Sequence, residues 1–272
     1  MAKKERVDVL LVDQGLFDTR EKAKRAIMAG LVYLDTERID KPGMKMDNDV
    51  HFTVKGNVLP YVSRGGLKLE KAIKLYNLDL SNKTVLDIGA STGGFTDCSL
   101  QNGAKIVYAL DVGYNQLAWK LRQDARVVVM ERTNFRYVTA EDLHEGLPDF
   151  ASIDVSFISL KLILPVLKTL IKRGGEVIAL VKPQFEAGRE QVGKKGIIKD
   201  AAVHNEVLTS MCQFVLAEGY GIKGISYSPI TGGEGNIEFL LYLTYPNEEL
   251  KDMDYQSAIS EIVTAAHTDL KK

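Results

Sequence analysis

Short apolar runs alternate with helix-spaced patterns along most of the chain. From Thr84 onward the runs fall at Val85–Ile88, Ile106–Leu110, Val127–Met130, Ala151–Val155 and Val177–Val181. Strands alternating with helices predict a parallel sheet covered by helices. After a helix over Ala201–Glu218, two further runs, Ile222–Tyr227 and Ile237–Tyr245, are joined only by the glycine-rich stretch Ile230–Asn236. No helix can cross over in so few residues, so the last strand is predicted to run antiparallel to its neighbour. A helix over Gly65–Leu78 leads into the first strand, and the tail is periodic over Tyr255–Leu270, as a packed terminal helix would be.

The pattern near the N-terminus is different. Helical spacing at Arg6–Gln14 and Thr19–Ala29 is interrupted by Gly15. Asp18 with Glu21 resembles a capping box, and Gly30 is a natural stop. Strands follow at Leu31–Leu34 and Val50–Val54, with a turn at Lys41-Pro42-Gly43 between them. Leu59-Pro60-Tyr61-Val62 reads as a short linker and Ser63-Arg64-Gly65-Gly66 as the opening of the next unit. The expected division is a small α+β module at 1–60, a large α/β domain at 61–246 and a tail at 247–272.

Composition narrows the class. With 272 residues, 45% of them hydrophobic and 26% charged, the chain is too apolar for disorder and has no fibrous repeat. Two cysteines, Cys98 and Cys212, are too few for a disulfide scaffold and read as free buried thiols. Acidic residues come too early for a secretory leader, no run reaches the length of a membrane span, and a cytoplasmic location is expected. The formal charge of −1 argues against coating by nucleic acid, but the average conceals local excesses. Arg20 and Lys24 share a helix face beside Lys22 and Arg25, and 161–199 holds nine basic residues against three acids. The glycine-containing loop 184–196 within that stretch could close over a nucleotide. Ordinary solvated surfaces would carry the same charges. His51, His144, His204 and His267 have no metal-ligand spacing, and no metal is expected.

The most informative segment is Leu86-Asp87-Ile88-Gly89-Ala90-Ser91-Thr92-Gly93-Gly94-Phe95-Thr96. Strand, glycine turn and helix start in this order present backbone N–H groups to a ligand. Its spacing departs from G-x-G-x-x-G, and Asp111 at the end of the next strand is placed to bind two ribose hydroxyls. Loop and acid together fit S-adenosylmethionine (SAM) better than a pyrophosphate cofactor, although a tight structural turn also uses glycines. The candidate cofactor residues are Gly89, Ala90, Ser91, Thr92, Gly93, Gly94, Phe95, Asp111 and Asn134, the last flanking adenine. Asp154 and Lys182 end the fourth and fifth strands, where parallel sheets build their sites, and Glu238 begins the antiparallel strand at the same edge. Lys68 is a possible fourth member, yet Lys68, Lys71 and Lys74 could equally be solvated charges.

Two resemblances follow. Arg6-Val7-Asp8, Leu10, Gly15, Thr19-Arg20, Ala23, Ile27, Gly30 and Val32 resemble the S-four-like RNA-binding domain, which docks a basic second helix on structured RNA. Leu34-Asp35-Thr36-Glu37 replaces that domain's usual Val-Asn-Gly turn and adds acid, so shape recognition is expected more than a strong electrostatic clamp. Ser63-Arg64-Gly65-Gly66-Leu67-Lys68-Leu69, Asp87 to Asp97, Asp154 to Ser159, Lys182 to Glu186 and Gly235 to Phe239 resemble the TlyA family, ribosomal RNA 2′-O-methyltransferases often labelled haemolysins. That resemblance implies a class I SAM-dependent methyltransferase sheet of FtsJ-like type, and a Lys-Asp-Lys-Glu tetrad at Lys68, Asp154, Lys182 and Glu238. Lys182 is expected to act on the ribose hydroxyl, with Asp154 and Glu238 orienting it and Lys68 positioning the nucleotide. The implied substrate is cytidine in ribosomal RNA or a ribosomal subunit, with Arg6, Arg20, Lys24, Arg25, Arg64 and Arg189 as candidate RNA contacts. The alternatives are an RNA-binding assembly factor with a vestigial SAM pocket, a membrane-active haemolysin and, more distantly, a nicotinamide dehydrogenase. Oligomeric state is not fixed by the sequence.

Overall fold

The computed structural model describes residues 4–28, 30–56, 59–232, 235–246 and 254–270. Ala29, the centre of the 230–236 loop and the tail over 247–253 lie outside them. The chain divides into two compact units at Pro60.

The first unit holds β1 (Lys4–Arg6), α1 (Val7–Asp13), α2 (Arg20–Met28), β2 (Val32–Leu34), β3 (Glu37–Arg38), β4 (Lys45–Asp47) and β5 (Phe52–Val54). Val7, Leu10 and Leu11 of α1 and Ala23, Ala26 and Ile27 of α2 meet Val32, Ile39 and Phe52 in its core; Ala23, Ala26 and Ile27 recur at the helical spacing of an inward face. Two local details differ from expectation, and a third, the turn after β2, lies where the sequence placed it. Arg6 belongs to a strand paired with Lys45, and the helix starts one residue later. The cap of α2 is Thr19, whose Oγ1 accepts the Lys22 N–H at 3.3 Å, while Asp18 pairs with the Lys22 ammonium at 2.6 Å. Asp35-Thr36 forms a two-residue hairpin turn between β2 and β3, with Asp35 at φ +54°.

The second unit is built on one seven-stranded sheet. Its elements are α3 (Gly66–Tyr76), β6 (Thr84–Ile88), α4 (Gly94–Gln101), β7 (Ile106–Leu110), α5 (Trp119–Arg122), β8 (Val127–Met130), β9 (Phe150–Ile153), α6 (Leu164–Leu170), β10 (Gly175–Val181), α7 (Pro183–Glu186), α8 (Ala201–Ala217), β11 (Gly221–Tyr227), β12 (Phe239–Tyr245) and α9 (Tyr255–Asp269). The order is β11-β12-β10-β9-β6-β7-β8, with β12 antiparallel to both neighbours and the other paired strands parallel. Both faces are buried, which explains why the inner strands read as continuous apolar runs. Val177, Ala179 and Val181 of β10 join the core beneath α6, α8 and α9, while Ile178 and Leu180 join the one beneath α3 and α4. Cys98 and Cys212 are buried and free. His204 of α8 and His267 of α9 meet at 2.9 Å, although their sequence spacing gave no hint of it.

Register brings the candidate residues to one edge. Val181 lies opposite Phe239, so Lys182 after β10 and Glu238 before β12 are neighbours. Ile88 lies opposite Ile153, which sets Gly89 beside Asp154. No helix among the described residues is long and apolar enough to cross a membrane.

Candidate active site

At the end of β6 the chain turns sharply into α4. Gly89 has φ +88°, and a Cβ there would stand 2.5 Å from the Asp154 carbonyl oxygen, so only glycine permits this approach. Gly93, at φ +97°, packs against Leu117 and Leu121 behind the loop and lines neither of the two clefts beside it. Gly89, Ala90, Ser91, Thr92, Gly94 and Phe95 do line one, of about 380 Å³, together with Arg64 and the four tetrad residues. A neighbouring cleft of about 320 Å³ shares Gly89, Ser91, Asp154 and Ser156 and is lined also by Asp111 and Asn134. Asp111 accepts the backbone N–H groups of Ser91 (2.8 Å) and Gly113 (2.7 Å), so it ties the glycine loop to its own loop. The Asn134 side chain caps the following turn by accepting the Arg136 N–H at 3.2 Å.

Beneath the loop, Asp87 is fully buried and accepts hydrogen bonds from Thr96 (2.7 Å) and Ser152 (3.2 Å). Burial pushes its carboxyl up to about 7, against the pull of those two hydroxyls. A folded-state value above the unfolded one means that the folded protein holds the extra proton between them, so stability falls as pH rises through that window. Asp87→Asn is therefore expected to gain on the wild type by about 2 kcal/mol between about pH 5 and pH 8. Urea midpoints of both proteins at the two pH values check this, and a pH-independent difference would refute it.

The tetrad is a continuous ion-pair chain. Asp154 bridges both lysines, at 3.0 Å to Lys68 and 2.5 Å to Lys182, and Lys68 also meets Glu238 at 2.6 Å. Lys68, Lys182 and Glu238 are buried. Burial pulls the Lys68 ammonium down, but Asp154 and Glu238 together outweigh it and raise it above the ordinary lysine value. The Asp154 carboxyl, although burial opposes ionisation, is held below the usual carboxylate range by the two lysines. Glu238 has no ion pair with Lys182, which corrects the expectation that it orients that lysine: its partner is Lys68. In its place Ser156 Oγ accepts from Lys182 Nζ at 3.0 Å.

Other expectations separate. Arg189 is exposed and lines neither cleft. The basic excess over 161–199 is partly neutralised from elsewhere, by Lys168–Glu218 (2.6 Å), Lys172–Asp149 (2.7 Å) and Lys182–Asp154. In the first unit, Lys24 pairs with Glu21, Arg25 is exposed, and Arg6 and Arg20 converge on Asp8. Sequence reasoning missed Glu131, whose carboxylate accepts the N–H groups of Asn115, Gln116 and Leu117 and pairs with Arg122. It also missed Phe157, 91% exposed at φ +63° and lining the second cleft, its ring 5.1 Å from that of Phe185. Ser63 and Gly65, read as an opening segment, form part of the cleft wall.

A seven-stranded sheet with its antiparallel strand second from one edge, and a glycine loop opening beside the ends of its parallel strands, defines a class I SAM-dependent methyltransferase. The model of the FtsJ-like methyltransferase family matches residues 61–245, and that of the S4 domain matches residues 5–47. "Putative rRNA methyltransferase YqxC" of Bacillus subtilis is 64% identical over 100% of this chain and 97% of that protein. The 16S/23S rRNA (cytidine-2′-O)-methyltransferase TlyA of Mycobacterium tuberculosis is 38% identical over 97% of this chain and 99% of its own. A solved structure described as "Putative hemolysin from Streptococcus thermophilus" has 56% identity and a TM-score of 0.78, covering 100% of this chain and 98% of that one. The chain belongs to the FtsJ-like methyltransferase family and stands within it beside TlyA.

Proposed function

We propose that the protein transfers a methyl group from SAM to the 2′-hydroxyl of a cytidine in ribosomal RNA. The observation that carries this reading is the Lys-Asp-Lys-Glu ion-pair chain that lines the glycine-loop cleft. The lining fits the cofactor chemically: Gly89, Ala90, Ser91, Thr92, Gly94 and Phe95 border one cleft, and Asp111 offers a carboxylate at the second. When bound, SAM supplies an electrophilic methyl group. Gly89, Ala90, Ser91, Thr92, Gly94 and Phe95 would hold its amino-acid end, and Asp111 and Asn134 its nucleoside, with Gly93 shaping the loop from behind.

A ribose hydroxyl is a weak acid, so the site must take its proton or stabilise the oxyanion as it forms. Lys182 is suited to this. Asp154 and Ser156 fix two of its three Nζ directions, leaving one for the target hydroxyl. Lys68, held charged by two carboxylates, sets Asp154 and adds positive potential for the nucleotide. Phe157 offers an exposed aromatic face beside the tetrad on which a base can stack. In the first unit, Arg6, Arg20, Lys24 and Arg25 would contact phosphates, and Arg64 and Arg189 would do so in the second.

The test is incubation with labelled SAM and each ribosomal subunit or bare ribosomal RNA, followed by mapping of alkali-resistant linkages. The expected result is one resistant cytidine in at least one substrate. Absence of labelled RNA under every condition overturns the proposal.

A further inference from the structure

Asp8 is completely buried in the first turn of α1, yet it lies among charged neighbours. Arg6 donates from Nε to Oδ1 at 2.9 Å and from Nη2 to Oδ2 at 3.0 Å. Arg20, from the start of α2, donates from Nη2 to the same Oδ2 at 3.0 Å. Two guanidinium groups from separate elements therefore converge on one oxygen, although their side chains are 39% and 52% exposed. Their inner edges are engaged, while Nη1 of each and Nε of Arg20 donate no hydrogen bond among the described residues. Arg6 is pressed over Gly43, where a Cβ would stand 3.2 Å from its Nη1, so the turn fixes its plane as well. Asp8 balances one of the two guanidinium charges, and Glu5 lies beside Arg6, its carboxylate accepting the Arg6 backbone N–H at 2.9 Å; the remaining outer N–H groups are the donors a phosphodiester can use.

We propose that Asp8 is a positioning residue that sets Arg6 and Arg20 as a two-guanidinium clasp for one RNA phosphate. The proposal rests on the reading of the first unit as RNA-binding and adds to it the residue that shapes the contact. Planar N–H forks grip phosphate well only when aligned, and alignment is what a buried carboxylate supplies to two flexible side chains.

The sign of one substitution separates this from simple electrostatics. Asp8→Asn removes a negative charge, so a surface acting through charge alone would bind RNA more tightly. A clasp would bind less tightly, because the asparagine amide N–H faces a guanidinium donor and can retain only one arginine in place. For the full-length protein and a labelled ribosomal RNA hairpin, Asp8→Asn is expected to weaken binding about tenfold at moderate salt and to lower the salt slope by about 0.7–0.9, one phosphate contact. Arg6→Lys and Arg20→Lys keep the charge and lose the fork, and each should weaken binding about as much; they carry the test if Asp8→Asn does not fold. Unchanged or tighter binding by a folded Asp8→Asn protein overturns the proposal, as does wild-type affinity in both lysine variants. Failure of the RNA reading looks different: Arg6→Ala with Arg20→Ala would then bind the hairpin as the wild type does.

Discussion

Lys182→Ala is expected to slow methyl transfer by about 10²–10⁴-fold, the contribution of a positioned proton acceptor, while SAM still binds. The loop and nucleoside contacts assigned to the cofactor lie on other residues, and among the described residues Lys182 meets Asp154 and Ser156 by ion pair and hydrogen bond. Stability should change little, because Asp154 keeps Lys68 at 3.0 Å and is not left as an unpaired buried anion. Single-turnover transfer and equilibrium dialysis with labelled SAM give the two numbers. Near-normal turnover would remove Lys182 from the mechanism. Lys182→Arg divides the remaining roles: arginine keeps the charge but cannot accept the proton, so substantial activity would assign the lysine to oxyanion stabilisation. A wild-type protein that binds RNA and SAM but methylates nothing would instead be an assembly factor.

Asp154→Ala should be more damaging to the fold. Removing the bridge leaves the buried Lys182 with no ion pair among the described residues and Lys68 with Glu238, and breaking a buried pair in this way costs about 3–5 kcal/mol. Methylation should be lost as well, since Lys182 loses the one carboxylate it pairs with among the described residues. A double variant, Asp154→Ala with Lys182→Met, should recover part of the stability by removing one unpaired charge, a coupling that a mutant cycle measures. The pH dependence has a defined sign. Asp154 is held below its unfolded value, so its contribution is complete above the ordinary carboxylate range and is lost as pH falls through the lower, folded value. Urea unfolding of the three proteins checks these statements, and a loss below about 1 kcal/mol for Asp154→Ala would show that the two lysines are independently solvated.

The strands were legible because their burial is two-sided. Val85–Ile88, Ile106–Leu110 and Val127–Met130 match the observed ends or nearly so, and the short 230–236 connection does reverse the last strand. The last strand's place was not legible: β12 inserts between β10 and β11, a pairing that depends on residues distant in the chain. Lys68 shows the same limit. Helical spacing made it one of three lysines on α3, and only packing buries Lys68 while leaving Lys74 exposed. Its partner Asp154 lies 86 positions away, a relation that no local pattern encodes. Arg6 reads equally well as a surface charge until Asp8 is seen beneath it.

The glycine loop, the acid after the second strand and the places of Asp154, Lys182 and Glu238 at strand ends follow from local pattern alone. Those features are local, set by the steric demands of a turn and the two-residue period of a strand. Tertiary structure decided the pairing: Glu238 serves Lys68, Ser156 serves Lys182, and Asp154 joins the two lysines. Ion pairs follow distance in space, and sheet register, with Val181 against Phe239 and Ile88 against Ile153, is what sets that distance.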